Sequence, residues 1–523
     1  MMRVTNSMIS RNSMTNMNHN KVNVDTLNTQ MTTQKKIIRP SDDPIIAVRA
    51  LRLRSNLSEL NQYYERNIPD AQSWMEITEG ALKNMEKLLE NIYTKCVDGS
   101  TDVKTQEDRA AILKDLQSLR KQIYAEGNTD CAGRSVFTGY KTNSQLTFLQ
   151  DDQKAKYEIT ESLSYKDIEE KRFYTNDVTV PDSSAEVLQG VELEDMPQEH
   201  VIKRIRLSYE KLSDIDQNDL KYFDVNDLDE NGKPREKSLH GAIYMVGDED
   251  RDISVITDLS YNDWVNGSAT REPCEVKSGE VLVFKETGEI IFGEAVANHI
   301  ASEKLELNIT YQKEGFTEGE VRPEHYFDCK NITDETNPIT YVKENQEIKY
   351  TVAFNQELTV NTQASNVLDA DIGRDVDELT NAVQAAIAAH DKVDKLKAMQ
   401  QEQQYSDEES QAKLKEWLEA AEKEASYADD NMQKVYARGI TKFQNHMDRV
   451  KLARTDLGSR ESRLKLTENR MSNQQSTFEQ LKSRNEDMEL SDIIIEYTAA
   501  YNAYQASLQA SAKANGQTLL NYL

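Results

Sequence analysis

Apolar residues recur at alternating spacings of 3 and 4 along both ends of this chain. In 490–508, which reads LSDIIIEYTAAYNAYQASL, Leu490, Ile494, Tyr497, Tyr501, Tyr504 and Leu508 fall on one narrow seam of a helix. Such a seam calls for a covering surface along its length, from another terminal segment or another molecule. A thinner stripe of the same rhythm lies near the opposite end. Met14, Met17, Val24, Leu27, Met31, Gln34 and Ile38 carry it, with Met and Gln where a stable coil places Leu. Alone in water, a helix over 4–38 is marginal.

Pro40-Ser41-Asp42-Asp43-Pro44 then predicts a stop and a restart. Pro40 disfavours helix at Arg39, Ser41 or an aspartate can cap the next helix, and Pro44 suits a first turn. From Ile46 the alternation continues through Ala50, Leu53, Leu57, Leu60, Tyr64, Asn67, Ala71, Trp74, Thr78, Ala81, Met85, Leu88 and Ile92. Pro69 lies inside this run and predicts a kink or a fresh start. After a loop at 98–102, Ile112, Leu116, Leu119 and Ile123 mark another helix that ends at Gly127.

Near Arg134-Ser135-Val136-Phe137-Thr138-Gly139-Tyr140 the period changes. To about residue 358, short β-rich runs (156–160, 201–208, 281–285, 305–311, 348–354) alternate with turn signals such as Asn231-Gly232 and Asn266-Gly267. Helix returns near Asp371 with Val376, Leu379, Val383, Ile387 and His390, followed by a highly charged helical stretch at 400–424. Ile440, Phe443, Met447 and Val450 restore the seam, then Leu464, Met471 and Phe478. The fold expected is α+β: long terminal helices forming a coiled-coil or bundle rod, with a β-rich insert in mid-chain. Its divisions are 1–45, a marginal or disordered segment; 46–145, the first half of the rod; and 146–358, the insert. The second half of the rod follows at 359–480, with a coiled-coil segment at 481–523.

Composition supports long two-faced helices over one large core. Only 37% of the 523 residues are hydrophobic, 29% are charged, and the formal net charge is −28. That balance argues against nucleic acid and against an anionic membrane surface as partners. No apolar run reaches bilayer length, and the N-terminus lacks the apolar core of a secretory signal. Cys96, Cys131, Cys274 and Cys329 have no paired-ligand spacing and read as free thiols.

Candidate chemistry is sparse. The sequence holds no HExxH box, phosphate loop, dinucleotide fingerprint or nucleophile elbow, and His390 reads as a seam or surface residue. No catalytic, cofactor or metal residue is assigned. Asp227-Leu228-Asp229-Glu230-Asn231-Gly232 matches the first half of a calcium loop, but position 12 is Ser238 and Pro234 stands at position 8. It reads first as an Asn-Gly turn in an acidic loop. Asn308-Ile309-Thr310 and Asn331-Ile332-Thr333 match the glycosylation sequon and carry little weight without a secretory signal.

At its ends the chain resembles the flagellar hook-associated protein 3 family, the second junction protein between hook and filament in bacteria. The resemblance rests on Arg3-Val4-Thr5-Asn6, Arg39-Pro40-Ser41-Asp42-Asp43-Pro44, Ala50-Leu51-Arg52-Leu53-Arg54 and the stretch from Asn67 to Trp74. Gly133-Arg134-Ser135-Val136-Phe137-Thr138-Gly139 continues it. It resumes with Leu466-Thr467-Glu468-Asn469-Arg470, Asn485-Glu486-Asp487, Ile494-Ile495-Glu496 and Leu519-Leu520-Asn521-Tyr522-Leu523. Flagellin is similar at Asp42-Asp43 but usually lacks the Arg-Pro-Ser lead and Trp74. The resemblance covers roughly 2–145 and 440–523, and leaves the insert and the charged stretch without a counterpart.

The resemblance implies a structural adaptor, not an enzyme, on which the flagellin filament is assembled. It implies rings of subunits whose terminal helices form an inner tube, and outward-facing β domains. The implied partners are further copies of the chain, the first junction protein, flagellin, an export chaperone and the type III export apparatus. The implied location is the extracellular flagellum, reached without a cleaved signal. Filament flagellin is the nearest alternative; an acidic calcium-binding or adhesin module on a coiled-coil stalk is a further one.

Overall fold

The computed structural model describes residues 6–100, 106–181, 187, 196–228, 230, 234–246, 249–267 and 271–515. Two compact units emerge: Met1–Gln72 with Lys349–Leu358 and Arg460–Leu523, and Ser73–Ile348 with Thr359–Ser459. Long helices dominate the two ends and β-structure the middle, as the change of period predicts.

The first unit begins with α1 (Asn6–Thr33) and α2 (Pro44–Gln62). Asp43 caps α2 and Pro44 opens its first turn, so the predicted restart is realised. Pro69 does not break the helix. A π turn (Tyr63–Asn67) precedes it, and the chain continues into α3 (Ile68–Gly99). Proline has no N–H to offer the carbonyl four residues back, and the widened turn instead sends the Ile68 amide to the Tyr63 carbonyl. The hairpin of β16 (Lys349–Ala353) and β17 (Gln356–Thr359) turns at Asn355, whose φ is 54°. Buried residues of this unit include Ala47, Ala50, Leu57 and Leu60 of α2, and Val352 and Ala353 of the hairpin. Leu464 and Met471 join them from the long helix α8 (Glu408–Glu486), and α9 (Leu490–Asn515) closes the unit.

In the second unit α3 packs with α4 (Gln106–Gly127), α7 (Ile372–Gln401) and α8. Ion pairs mark the sides of this bundle: Lys95–Asp115 at 2.6 Å, Arg109–Asp429 at 2.7 Å, Arg120–Asp377 at 2.9 Å and Glu86–Arg454 at 2.7 Å. Its interior holds Trp74, Met75, Leu82, Met85, Leu89 and Ile92, with Leu116, Ile123, Val376, Val383, Leu396, Phe443 and Val450. The charged stretch at 400–424 is not continuous helix. A single 3-10 turn at Gln403–Tyr405 separates α7 from α8, which then run antiparallel, joined by Lys392–Glu424 at 2.7 Å and His390–Asp429 at 2.9 Å. Buried Tyr405, Leu414 and Trp417 give that stretch an apolar face among its charges.

Two larger sheets make up the β region. One has the order β15-β14-β3-β13-β6-β7 and is antiparallel throughout, built on the long pair β3 (Asp152–Ser164) and β13 (Glu306–Phe316). Its other strands are β6 (Leu220–Leu228), β7 (Pro234–Ser238), β14 (Asp328–Asn331) and β15 (Ile339–Tyr341). The second has the order β10-β11-β12-β5-β4, with β4 (Glu169–Thr175), β5 (Gln198–Arg206), β10 (Ser254–Ile256), β11 (Glu280–Phe284) and β12 (Glu289–Phe292). A core of Ile202, Trp264, Leu282, Phe284 and Ile291 fills this second sheet's inner side. All four cysteines are buried free thiols.

Candidate assembly site

The chemistry of the first unit is concentrated where its two connectors meet. Asp42 accepts the Ile38 and Arg39 amides at 3.1 and 2.8 Å, and the Arg39 bond foremost holds its carboxyl below the usual range. Asp43 accepts the Ile45 and Ile46 amides at 2.9 and 3.1 Å. These bonds shape the segment between α1 and α2 from local sequence alone.

The second connector, between α8 and α9, is tied to the first. Gln34 ends α1 with φ at 56° and accepts the Met488 amide at 3.0 Å, while the Lys36 amide donates to the Glu486 carbonyl at 2.7 Å. Lys35 pairs with Asp487. The Glu486 carboxylate is 2% exposed as a residue and receives Arg54 in a fork, at 2.7 and 2.6 Å. That hydrogen-bonded guanidinium holds the Glu486 carboxyl below 4.5. Asn485 donates to the Ile46 carbonyl at 3.2 Å. The motifs Asp42-Asp43-Pro44, Arg52-Leu53-Arg54 and Asn485-Glu486-Asp487 thus form one clasp.

From the clasp α1 and α9 run antiparallel along each other. The covered face of α9 is Ile493, Tyr497, Ala500, Tyr504, Ser507 and Ser511, and that of α1 is Ser10, Ser13, Met17, Asn20, Val24 and Leu27. Spacing on α9 is 4-3 as expected, but the face is turned from the predicted seam. It keeps Tyr497 and Tyr504 and leaves Leu490, Ile494, Tyr501 and Leu508 exposed, between 39% and 47%. Small residues permit close approach of the two helices, so the pairing follows alanine and serine rather than the largest side chains. Ile38, Met14 and Gln34 of the predicted α1 stripe are likewise exposed.

Several large apolar residues remain uncovered among the polar ones. Ile45 is 81% exposed on α2, beside exposed Val48 and Leu51, and α1 adds Met8, Ile9 and Val22. Between α2, the β16–β17 hairpin and α8 lies a cleft of ≈ 680 Å³ lined by Leu60, Tyr63, Phe354, Met471 and Phe478. Apolar surface arranged in this way marks an interaction region.

Other features singled out by sequence lie in the second unit. Asp227 is paired with Lys237 at 2.9 Å and Arg235 at 3.7 Å; Asp229, Asn231 and Gly232 fall outside the described residues. Asn308 donates to Glu236 at 2.9 Å, and Asn331 accepts the Thr333 amide at 3.0 Å. Arg134 stacks 5.0 Å from the Trp74 ring centre, so the Gly133-to-Gly139 motif and Trp74 meet in space. The clasp pairing was not legible in the sequence. The opposite charges of Arg54 and Glu486 could be read there, but 432 residues separate them.

Comparison with known proteins locates the same regions. The bacterial flagellin N-terminal helical region matches residues 4–142, and the bacterial flagellin C-terminal helical region matches 440–523. Flagellar hook-associated protein 3 of Escherichia coli strain K12 is 34% identical over 24% of this chain and 39% of its own length. Its counterpart in Salmonella typhimurium strain LT2 is 30% identical over 27% of this chain and 45% of its own length. The chain thus spans less than half the length of these curated relatives. A solved structure of flagellar hook associated protein-3 from Legionella pneumophila covers 83% of this chain and 97% of its own. At 10% identity and a TM-score of 0.28, it adds nothing to the argument. At its two ends the chain thus carries regions similar to the N- and C-terminal helical regions of bacterial flagellins, and in the structure these meet in one clasp.

Proposed function

We propose that this protein is a structural adaptor of the bacterial flagellum, seated at the junction of hook and filament, on which flagellin assembles. The observation that carries the reading is the clasped α1–α9 pair, thinly packed in the single chain and edged by exposed Leu490, Ile494, Tyr501 and Leu508. Copies of the same helices would cover those residues in a ring. On this reading the chain performs no catalysis, and its acidic β region (146–358 in the division above) faces outward. Its partners are further copies of itself, the first junction protein and flagellin, with a chaperone and the type III apparatus handling its export. It works outside the cell.

Filament flagellin remains the second reading, because both matched helical regions are named for flagellin. Arg39-Pro40-Ser41 and Trp74 favour the junction protein. Cells lacking the gene decide between them. A hook without filament, with flagellin shed into the medium, supports the adaptor; loss of the main filament protein itself replaces it with the flagellin reading.

A further inference from the structure

Along β3 the inward positions read Ala155, Tyr157, Ile159 and then Glu161, an acid where the alternation calls for an apolar residue. Glu161 is 1% exposed. Its carboxylate accepts the Ser208 amide at 3.0 Å and the hydroxyl of Tyr311, diagonally across on β13, at 2.9 Å. The Ser208 hydroxyl turns the other way and donates to Asp371 at 2.6 Å. Asp371 is the residue before α7, yet its side chain makes no capping bond to that helix. Two carboxylates therefore converge on one serine, in the wall of a cleft of ≈ 940 Å³.

Cations near this pair are engaged elsewhere. Arg206 of β5 is held by Asp375 and Glu378 of α7. Lys442 of α8 bridges Glu169 at 3.0 Å and Asp375 at 2.9 Å, and Arg449 and His446 face Asp369. The remaining charged groups of the lining are Lys166 and Asp167 after β3, Lys343 after β15, and Arg438 of α8, which is paired with Glu378. Arg374 of α7 also faces Asp371 and donates to the Leu207, Tyr209 and Thr287 carbonyls, and Tyr124, Tyr209 and Tyr326 are further titratable neighbours. Among the described residues no ion pair reaches Glu161 or Asp371.

We propose that Glu161, Ser208 and Asp371 form a proton-operated latch between the six-stranded sheet and the start of α7, shut when Glu161 is protonated. A fully buried carboxylate that shares a serine with a second, half-buried acid is costly to ionise. Burial first, and the Asp371 charge second, lift the Glu161 carboxyl to about 7, against an ordinary value of 4.5. The folded value is the higher one, so the latch contributes fully below 4.5 and its contribution is lost as pH rises to 7. Above that pH Glu161 is charged and the start of α7 is pushed from the sheet. His325, held neutral by burial to about 4, titrates with the opposite sign in the same unit. The test is therefore a comparison of variants at each pH.

Trp74, Trp264 and Trp417 all lie in this unit, so tryptophan fluorescence of the full chain in urea reports its unfolding. Wild type and Glu161→Gln are compared from pH 5 to 8.5. The ratio of their folding constants is expected to fall about tenfold per pH unit up to pH 7 and then level off. In Asp371→Asn the levelling point moves to lower pH. A ratio that stays constant, or a levelling point untouched by Asp371→Asn, overturns the latch. Should Glu161→Gln fail to fold, infrared titration of wild type decides. A protonated carboxyl that persists to near pH 7 and shifts in Asp371→Asn sustains the proposal, and its absence above pH 6 removes it.

Discussion

The α1–α9 pair and the α3–α4–α7–α8 bundle are both helix packings, yet they bury different things. Among the described residues, Leu27 and Ile493 are the large apolar side chains fully covered in the pair. Part-covered Met17 and Val24, with serine, alanine, asparagine and part-covered tyrosines, fill the rest of its seam. In the bundle, Trp74, Met85, Leu89, Ile92, Val383, Leu396, Phe443 and Val450 are each no more than 1% exposed. Helices owe most of their stability to a covered apolar face. The bundle therefore stands by itself, whereas the pair keeps apolar surface in reserve. The charged surroundings differ in the same sense. Arg54 in the clasp is largely exposed, while Arg204, Arg206, Asp375 and Glu289 are buried and ion-paired.

That contrast breaks most sharply at Asp375, whose carboxylate holds Arg206, Lys442 and His446 together. Asp375→Ala leaves the buried Arg206 with Glu378 alone and takes a partner from Lys442 and His446, and should cost about 3–5 kcal/mol, read as an earlier urea transition of tryptophan fluorescence. Acid should attack the same network. Burial pushes the Glu378 carboxyl up, but Arg204 and Arg206 outweigh it and hold it at about 2. Its contribution is thus present above 4.5 and lost as pH falls toward 2. Glu378→Gln should flatten stability over that acid range.

In the terminal pair the effects are smaller and confined. Leu27→Ala or Ile493→Ala should each cost about 2 kcal/mol of local stability. Amide exchange in α1 and α9 should quicken while the bundle's amides stay protected. Equal loss of protection in both places would show that the pair and the bundle open as one unit.

The smallest effect on the isolated protein is expected on the exposed seam. Tyr501→Asp and Leu508→Asp should leave its stability within about 0.5 kcal/mol, since both side chains already meet solvent. On the proposed adaptor role, joining the hook tip should nevertheless fail, because a carboxylate covered by a neighbouring copy is costly to desolvate. Gln509→Asp, next to the seam, serves as the assembling control. Seam variants that assemble as well as this control would leave the exposed stripe without a role.

Periodicity by itself determined the helices at both ends, the restart at Asp43-Pro44 and the β character of the middle. Each is a local property: a 3-4 alternation, a capping carboxylate and a period of two act within a few residues. Tertiary structure decided which side of those helices is covered. From sequence, Leu490, Tyr501 and Leu508 form the heavier stripe, but two helices approach closest where Ala500, Ser507 and Ser511 leave room. Pro69 reads as a kink or a fresh start, and only the structure shows the π turn that accommodates its missing donor. The fork of Arg54 on Glu486, and the burial of Glu161 beside Asp371, join residues hundreds of positions apart. Charge signs along the chain cannot reveal such partners, because electrostatic pairing depends on distance in space, which the fold alone sets.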